Sequence, residues 1–370
     1  MSAVRRLAVC DAARQLQQPD FDDTRYRLGA ILGLYAYRLN TGQYRAALGV
    51  AEQFHAVAAE TADRSDVPIG SRLIGLALHI LGNQPGARRH LEPLVGSRFA
   101  TAPSSHIILY QYDQRVLLDC YYARVLWLQG LGDQARRHTE SLVEYARTKD
   151  HLLSLLYSLL IAACPIALYV GDLTTADHHV RLAFDLAARH ALEVWTVWAQ
   201  CFEAILLNKR GENGAGSQLL QSSLERLPEP AFHHHMSLLL AELAAGLGGA
   251  GQIAEGWLWS TRRSCVRSRR KRDGTSRSCS ARRASCFSWD EYRPPSKLPR
   301  NASIRHSTSR DARARSPGSC GPLRAWLGLW RGQQRVTQAR KLLGPIYRRF
   351  TEGFETADLI AAKALLDSVR

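Results

Sequence analysis

Residues 39–48 read LNTGQYRAAL. An apolar helical run stops at Gly42, a second starts at once, and a small residue, Ala47, sits five positions after the glycine. Glycine takes up the left-handed backbone conformation that ends a helix without the steric cost other residues bear. How closely two helix axes approach depends on the side chains at the contact, so a small residue one turn into the second helix allows tight packing. The stretch therefore predicts a helix–turn–helix with closely apposed arms.

The same punctuation recurs. Gly82 and Ala87 stand in ILGNQPGARRHL, Gly130 and Ala135 in LQGLGDQARRH, and Gly171 and Ala176 in YVGDLTTADHH. Gly211 and Gly216 follow in KRGENGAGSQLL, then Gly251 and Gly256 in GAGQIAEGW, with Gly75 as a further small packing position. Successive turn glycines are 40, 48, 41, 40 and 40 residues apart. A fixed period of that size marks a solenoid of helix pairs, each stacked on its neighbours. Apolar residues recur at three- and four-residue spacing and alternating β-branched runs are absent, so the expected class is all-α. The 19 uncharged residues 152–170, LLSLLYSLLIAACPIALYV, are long enough to span a bilayer, but their place in the repeat predicts a buried helix of the array.

GQYRAALGVAE, with Gly42, Tyr44, Ala47 and Ala51, resembles the tetratricopeptide repeat, although the period of about 40 exceeds that family's 34. The stretches LNTGQYRAALGVAEQF, DQRVLLDCYYARVLWLQGLGDQA and LLGPIYRRFTEGFETADLIAAKALLDSVR look like the C-terminal helical-repeat region of large bacterial transcriptional regulators. Those regulators carry a winged-helix or cyclase domain and a predicted ATPase domain ahead of the array. The resemblance implies a right-handed, tetratricopeptide-like superhelix that senses an effector or protein partner. It also implies a chain detached from its ATPase and DNA-binding modules, in the manner of a fragment of a decayed gene.

Between about 258 and 325 the pattern breaks. Residues 258–320 hold 17 Lys and Arg against 4 Asp and Glu, hence +13 of the chain's +16; the remaining residues carry +3. The bulk of the chain is nearly neutral, which removes any general electrostatic case for nucleic acid. The pattern returns after the break, where Ala339 takes the small position and Gln334 the place of the turn glycine. From Gly251 to Gln334 is 83 residues, close to two periods, so one repeat is missing. Read two nucleotides later, permitted codons for five separate pieces of this segment yield amphipathic helical text in one frame. We therefore read 258–325 as translated out of frame. As protein, its Arg/Ser-rich composition predicts a disordered segment. The expected organisation is a tail over 1–20, about six helix pairs over 21–257, the basic segment, and a closing helix pair of the array over 326–370.

The chain offers little for catalysis. A G-x-x-x-x-G-K-[ST] phosphate loop is absent, so no cofactor is expected. No H-E-x-x-H or G-x-S-x-G occurs, and His233–His235 reads as a surface trio rather than a metal site. The cysteines lack C-x-x-C spacing, which fits buried thiols in a reducing, cytoplasmic setting. What remains is recognition, with no enzyme activity expected. Tyr35, Arg38, Arg124, Trp127, Trp195 and Trp198 lie on first helices of pairs, the helices expected to line the concave face, and such residue types anchor interfaces. The expected partner is a protein or a small effector in that groove. Nucleic-acid binding through 258–320 is the alternative.

Overall fold

A computed structural model describes residues 24–61, 64–96, 111–227, 235–256, 258–259 and 343–367. Every regular element among them is helical. The first pair is α1 (Thr24–Asn40) with α2 (Tyr44–Glu60), and the second α3 (Val67–Leu81) with α4 (Gln84–Leu91). The third is α5 (Gln114–Leu128) with α6 (Gly132–Thr148). The fourth joins α7 (Leu152–Val170) to α8 (Leu173–Arg189), and the fifth α9 (Glu193–Lys209) to α10 (Asn213–Arg226). α11 (Met236–Gly249) opens a sixth, and α12 (Ala357–Asp367) stands near the C-terminus. The tail 1–20, most of the basic segment and Ala339 lie outside the described residues.

Each turn within a pair is built alike. At the first, the Gly42 N–H donates to Leu39 O at 3.2 Å and the Gln43 N–H to Arg38 O at 2.8 Å, with Gly42 at φ 77°. These are the paired bonds of a Schellman stop, which satisfy carbonyls that the helix end leaves open. Gly82, Gly130, Gly171, Gly211 and Gly251 repeat the geometry at φ between 81° and 95°. The helix that follows begins with a bond from the small residue back to the residue after the glycine, as from Ala47 N to Gln43 O at 2.9 Å. Ala47, Ala87, Ala135 and Ala176 are fully buried where the arms meet. Gly75 and Gly216 fill tighter contacts. A Cβ on Gly75 would lie 2.5 Å from Leu91 Cδ2, and one on Gly216 2.6 Å from Ala204 O. Gly70, which does not stand out in the sequence pattern, belongs with them: its Cβ would lie 2.7 Å from His55 Cα at the junction of the first two pairs.

The core runs unbroken from Leu28 on α1 to Leu247 on α11. α7 is long and apolar enough to cross a membrane, yet 72% of its most apolar window is buried inside the array. Its middle, Ser158–Ala163, is wound as a π-helix ahead of Pro165. Pro165 has no N–H to donate to Ile161 O four residues back. Arg124 of α5 supplies the missing donor: Nη1 lies 3.0 Å from that oxygen.

The expected closing pair over 326–370 lies partly outside the described residues, which resume at 343. Among the described residues, 343–347 are helical and α12 follows, and the segment between seats on the α5–α6 turn. The reason for this seat is local. The first turn of α6 has backbone donors no helix can satisfy internally, and Glu352 accepts from the Gln134 N–H at 2.9 Å.

Candidate functional site

Three of the six residues expected in a groove belong to the core. Tyr35 is 3% exposed and donates to Leu73 O at 3.0 Å, while Trp195 and Trp198 are 6% and 1% exposed. Tyr35 is held against α3, while Trp195 meets Tyr157 edge-on and Trp198 meets His235, so none of the three keeps a free face. Arg38 is half-buried and its guanidinium is held by the Gln43 side chain at the first turn. That contact ties it to the Schellman turn rather than to open surface.

Arg124 and Trp127 remain accessible in part, and the structure adds a third residue, Tyr169. The Trp127 and Tyr169 rings stack with centroids 5.3 Å apart and an interplanar angle of 20°. Arg124 donates to Ile161 O, and its charge acts on the Tyr169 hydroxyl, whose pKa burial raises. It forms no ion pair among the described residues, and its Nε is buried without a hydrogen-bond partner. Its charge also acts on His79, whose pKa falls to about 4, first because the ring is buried and then because Arg124 repels a second cation. Lys209 and Glu242 pair at 2.7 Å, and the Glu242 charge reaches Tyr169. The result is a half-buried cation whose charge reaches one of two stacked rings. Tyr169 carries no signal in the sequence because it closes the apolar run 152–170, where every position reads as core.

His235 corrects the surface trio. It is 4% exposed, lies parallel to Tyr121 at 6.5 Å with an interplanar angle of 10°, and meets Trp198 edge-on at 6.1 Å. Nearby, the Tyr121 and Tyr157 hydroxyls share a bond of 2.5 Å. His233 and His234 lie outside the described residues.

The arrangement offers no activated nucleophile among the described residues. Burial pushes the Cys120 and Cys164 thiols well up and that of Cys201 to about 12, so all three stay protonated at neutral pH. His151 Nδ1 lies 2.8 Å from Ser154 Oγ, which has the spacing of a nucleophile and its base. That serine is fully buried, however, and its oxygen accepts the Asp113 N–H at 2.8 Å. The Asp113 carboxylate caps α5 and takes the Tyr145 hydroxyl at 3.2 Å. No group of three or more His, Cys, Asp or Glu side chains among the described residues is placed to hold a metal ion.

A shallow cleft opens beside Trp127, between the α5–α6 turn and the C-terminal segment. Gly130 and Gly132 line it from one side, and Phe350, Glu352 and Leu359 from the other.

No protein-family model and no curated protein sequence matches the chain. Two solved structures show a remote likeness. One is the crystal structure of Rap protein complexed with competence and sporulation factor, 10% identical, with 99% of this chain and 85% of that chain covered at a TM-score of 0.48. The other is the crystal structure of BtubC from P. vanneervenii, 13% identical, with 76% of this chain and 97% of that chain covered at a TM-score of 0.38. At these scores neither likeness bears on function.

Proposed function

We propose that the chain is a non-enzymatic helical-repeat scaffold that recognises a protein or peptide partner through the face bearing Arg124, Trp127 and Tyr169. In the resembled class of regulators this is the sensing part. The observation that carries the reading is the partly accessible, stacked Trp127–Tyr169 pair, with the Arg124 charge acting on the Tyr169 hydroxyl. Arg, Trp and Tyr are the residue types that most often dominate binding energy, and a partly desolvated cation next to aromatic surface favours a carboxylate-bearing, aromatic ligand.

Dodecapeptides selected from a random display library against the full chain test this reading. Trp127→Ala should weaken the selected peptides at least tenfold, which is about 1.4 kcal/mol. Tyr26→Ala, at a position 70% exposed on α1, should leave them unchanged. Selected peptides that bind both variants like the parent chain would remove the proposal.

The +13 carried by residues 258–320 supports a second reading, binding to nucleic acid. On that reading affinity falls steeply with salt, by a slope of about 0.9 per phosphate neutralised. A sequence preference that survives added salt would favour it; a purely electrostatic, sequence-blind interaction would not. The glycine register, with its 83-residue gap, equally supports out-of-frame translation of 258–325. Nucleotide sequencing of that stretch tests this directly, and an unshifted reading with unrelated codons would dismiss it.

A further inference from the structure

The third turn differs from the others in sequence. The first helical residue after the turn is Tyr44, Gln84, Leu173, Asn213 and Ile253 in five pairs but Gly132 in the third. The next residue is acidic in the third pair alone, Asp133, against Arg45, Pro85, Thr174, Gly214 and Ala254. This GDQ stretch is where residues 350–357 sit. Gln134 donates to Glu352 twice, from its backbone N–H to Oε1 at 2.9 Å and from Nε2 to Oε2 at 3.0 Å. Asp133 answers by accepting the Gly353 N–H at 3.1 Å. The exchange resembles a capping box made between two distant parts of the chain, with a carboxylate on the positive end of α6.

Of the two glycines at the contact, Gly353 is the constrained one, while a side chain on Gly132 would find ordinary contacts. A Cβ on Gly132 would lie 3.6 Å from Gly353 Cα and 3.4 Å from the Trp127 ring, and Gly353 itself has φ 75°. One repeat along, Ala357 at the start of α12 touches the Gly171 turn, with its Cβ 3.2 Å from where a Gly171 Cβ would be. The matching turn glycines Gly82, Gly211 and Gly251 have nothing within 4 Å of that position. Gly82, Gly211 and Gly251 are exposed; at the third turn Gly130 is buried, and at the fourth Gly171 stays exposed with Ala357 touching it on one side.

We infer that Gly132-Asp133-Gln134 is a docking site for an acidic turn with glycine after its glutamate, and that residues 350–357 occupy it in cis as an internal ligand. The site adjoins Trp127, so on the scaffold reading above a partner that covers the third turn competes with the chain's own C-terminal segment. A chain released from this contact presents a larger binding edge than one that holds it.

Amide hydrogen exchange on the full chain tests the contact without any partner. The Gln134 N–H is one of the donors its own helix cannot satisfy, so its protection reports Glu352. Ala46 holds the matching place in α2 and is the internal reference. The Gln134 amide should exchange at least tenfold more slowly than that of Ala46, and Glu352→Ala should bring the two together. A labelled peptide of residues 347–361 should then bind the Glu352→Ala chain at least tenfold more tightly than the parent chain, and Asp133→Ala added to that variant should weaken it again. Equal exchange at Gln134 and Ala46 in the parent chain would overturn the inference. Protection that grows with protein concentration would overturn docking in cis, since a second copy would then be the source. These outcomes leave the Arg124–Trp127–Tyr169 reading standing, because that reading is judged by the selected peptides and not by Gln134.

Discussion

Arg124 Nη1 donates to the carbonyl of Ile161, one helix away, at the oxygen that Pro165 leaves without its α-helical donor. A proline within an apolar helix would ordinarily cost about 3 kcal/mol, partly through the lost bond. Here the π-wound Ser158–Ala163 and the guanidinium of a neighbouring repeat share the repair. Arg124→Met should therefore destabilise the chain by about 1.5–3 kcal/mol, the range for a hydrogen bond to a charged group. Pro165→Ala restores an N–H aimed at Ile161, so the same arginine change should cost less in that background. Urea denaturation of the four chains forms a double-mutant cycle. A coupling below about 0.3 kcal/mol would show the two residues to be independent.

The turn glycines separate backbone strain from packing. Gly211 has φ 95°, and a Cβ built on it would meet nothing within 4 Å, so Gly211→Ala adds strain and no clash. It should cost about 1–2 kcal/mol. The reverse experiment lies between α8 and α9, where Ala191 holds φ 51°. Ala191→Gly should stabilise the chain by up to about 1 kcal/mol, the relieved strain less the added freedom of the unfolded glycine. Thermal unfolding of both variants gives the two signs, and a shift in the same direction for both would contradict the account.

Gly75 tests packing. A Cβ there would press on Leu91, whose side chain is fully buried. Gly75→Ala should cost about 1–3 kcal/mol by overpacking. Gly216→Ala should cost more, because the Cβ would also meet the backbone oxygen of Ala204, which cannot turn aside. Adding Leu91→Val to Gly75→Ala should return part of the loss, as read by denaturant midpoint.

Acid should unfold the array in a window set by His79. Burial and Arg124 hold its folded pKa at about 4, below its ordinary 6.5. Between these values the unfolded chain binds more protons than the folded one, so stability falls as pH drops from about 6.5 to about 4 and the contribution is flat outside that window. The full effect is about 3 kcal/mol, at about 1.4 kcal/mol per unit. His79→Gln should flatten the pH profile of the urea midpoint in that window. An unchanged slope would place the acid sensitivity elsewhere, with His179, also held at about 4, the next group to test.

The helix pairs are legible in the chain alone, because each turn needs a left-handed residue and each contact a small one, and both demands are met within ten residues. Gly42 with Ala47 and Gly171 with Ala176 carry that information locally, whatever lies elsewhere. Which aromatic residues face out is not written there. Trp195 and Trp127 look alike on a helix, yet one is enclosed by neighbouring pairs and the other is half-exposed against Tyr169. Nor does any local pattern join Glu352 to Gln134 across 218 positions. Exposure and long-range pairing depend on how stacked repeats close around one another, and that is settled only when the whole array packs.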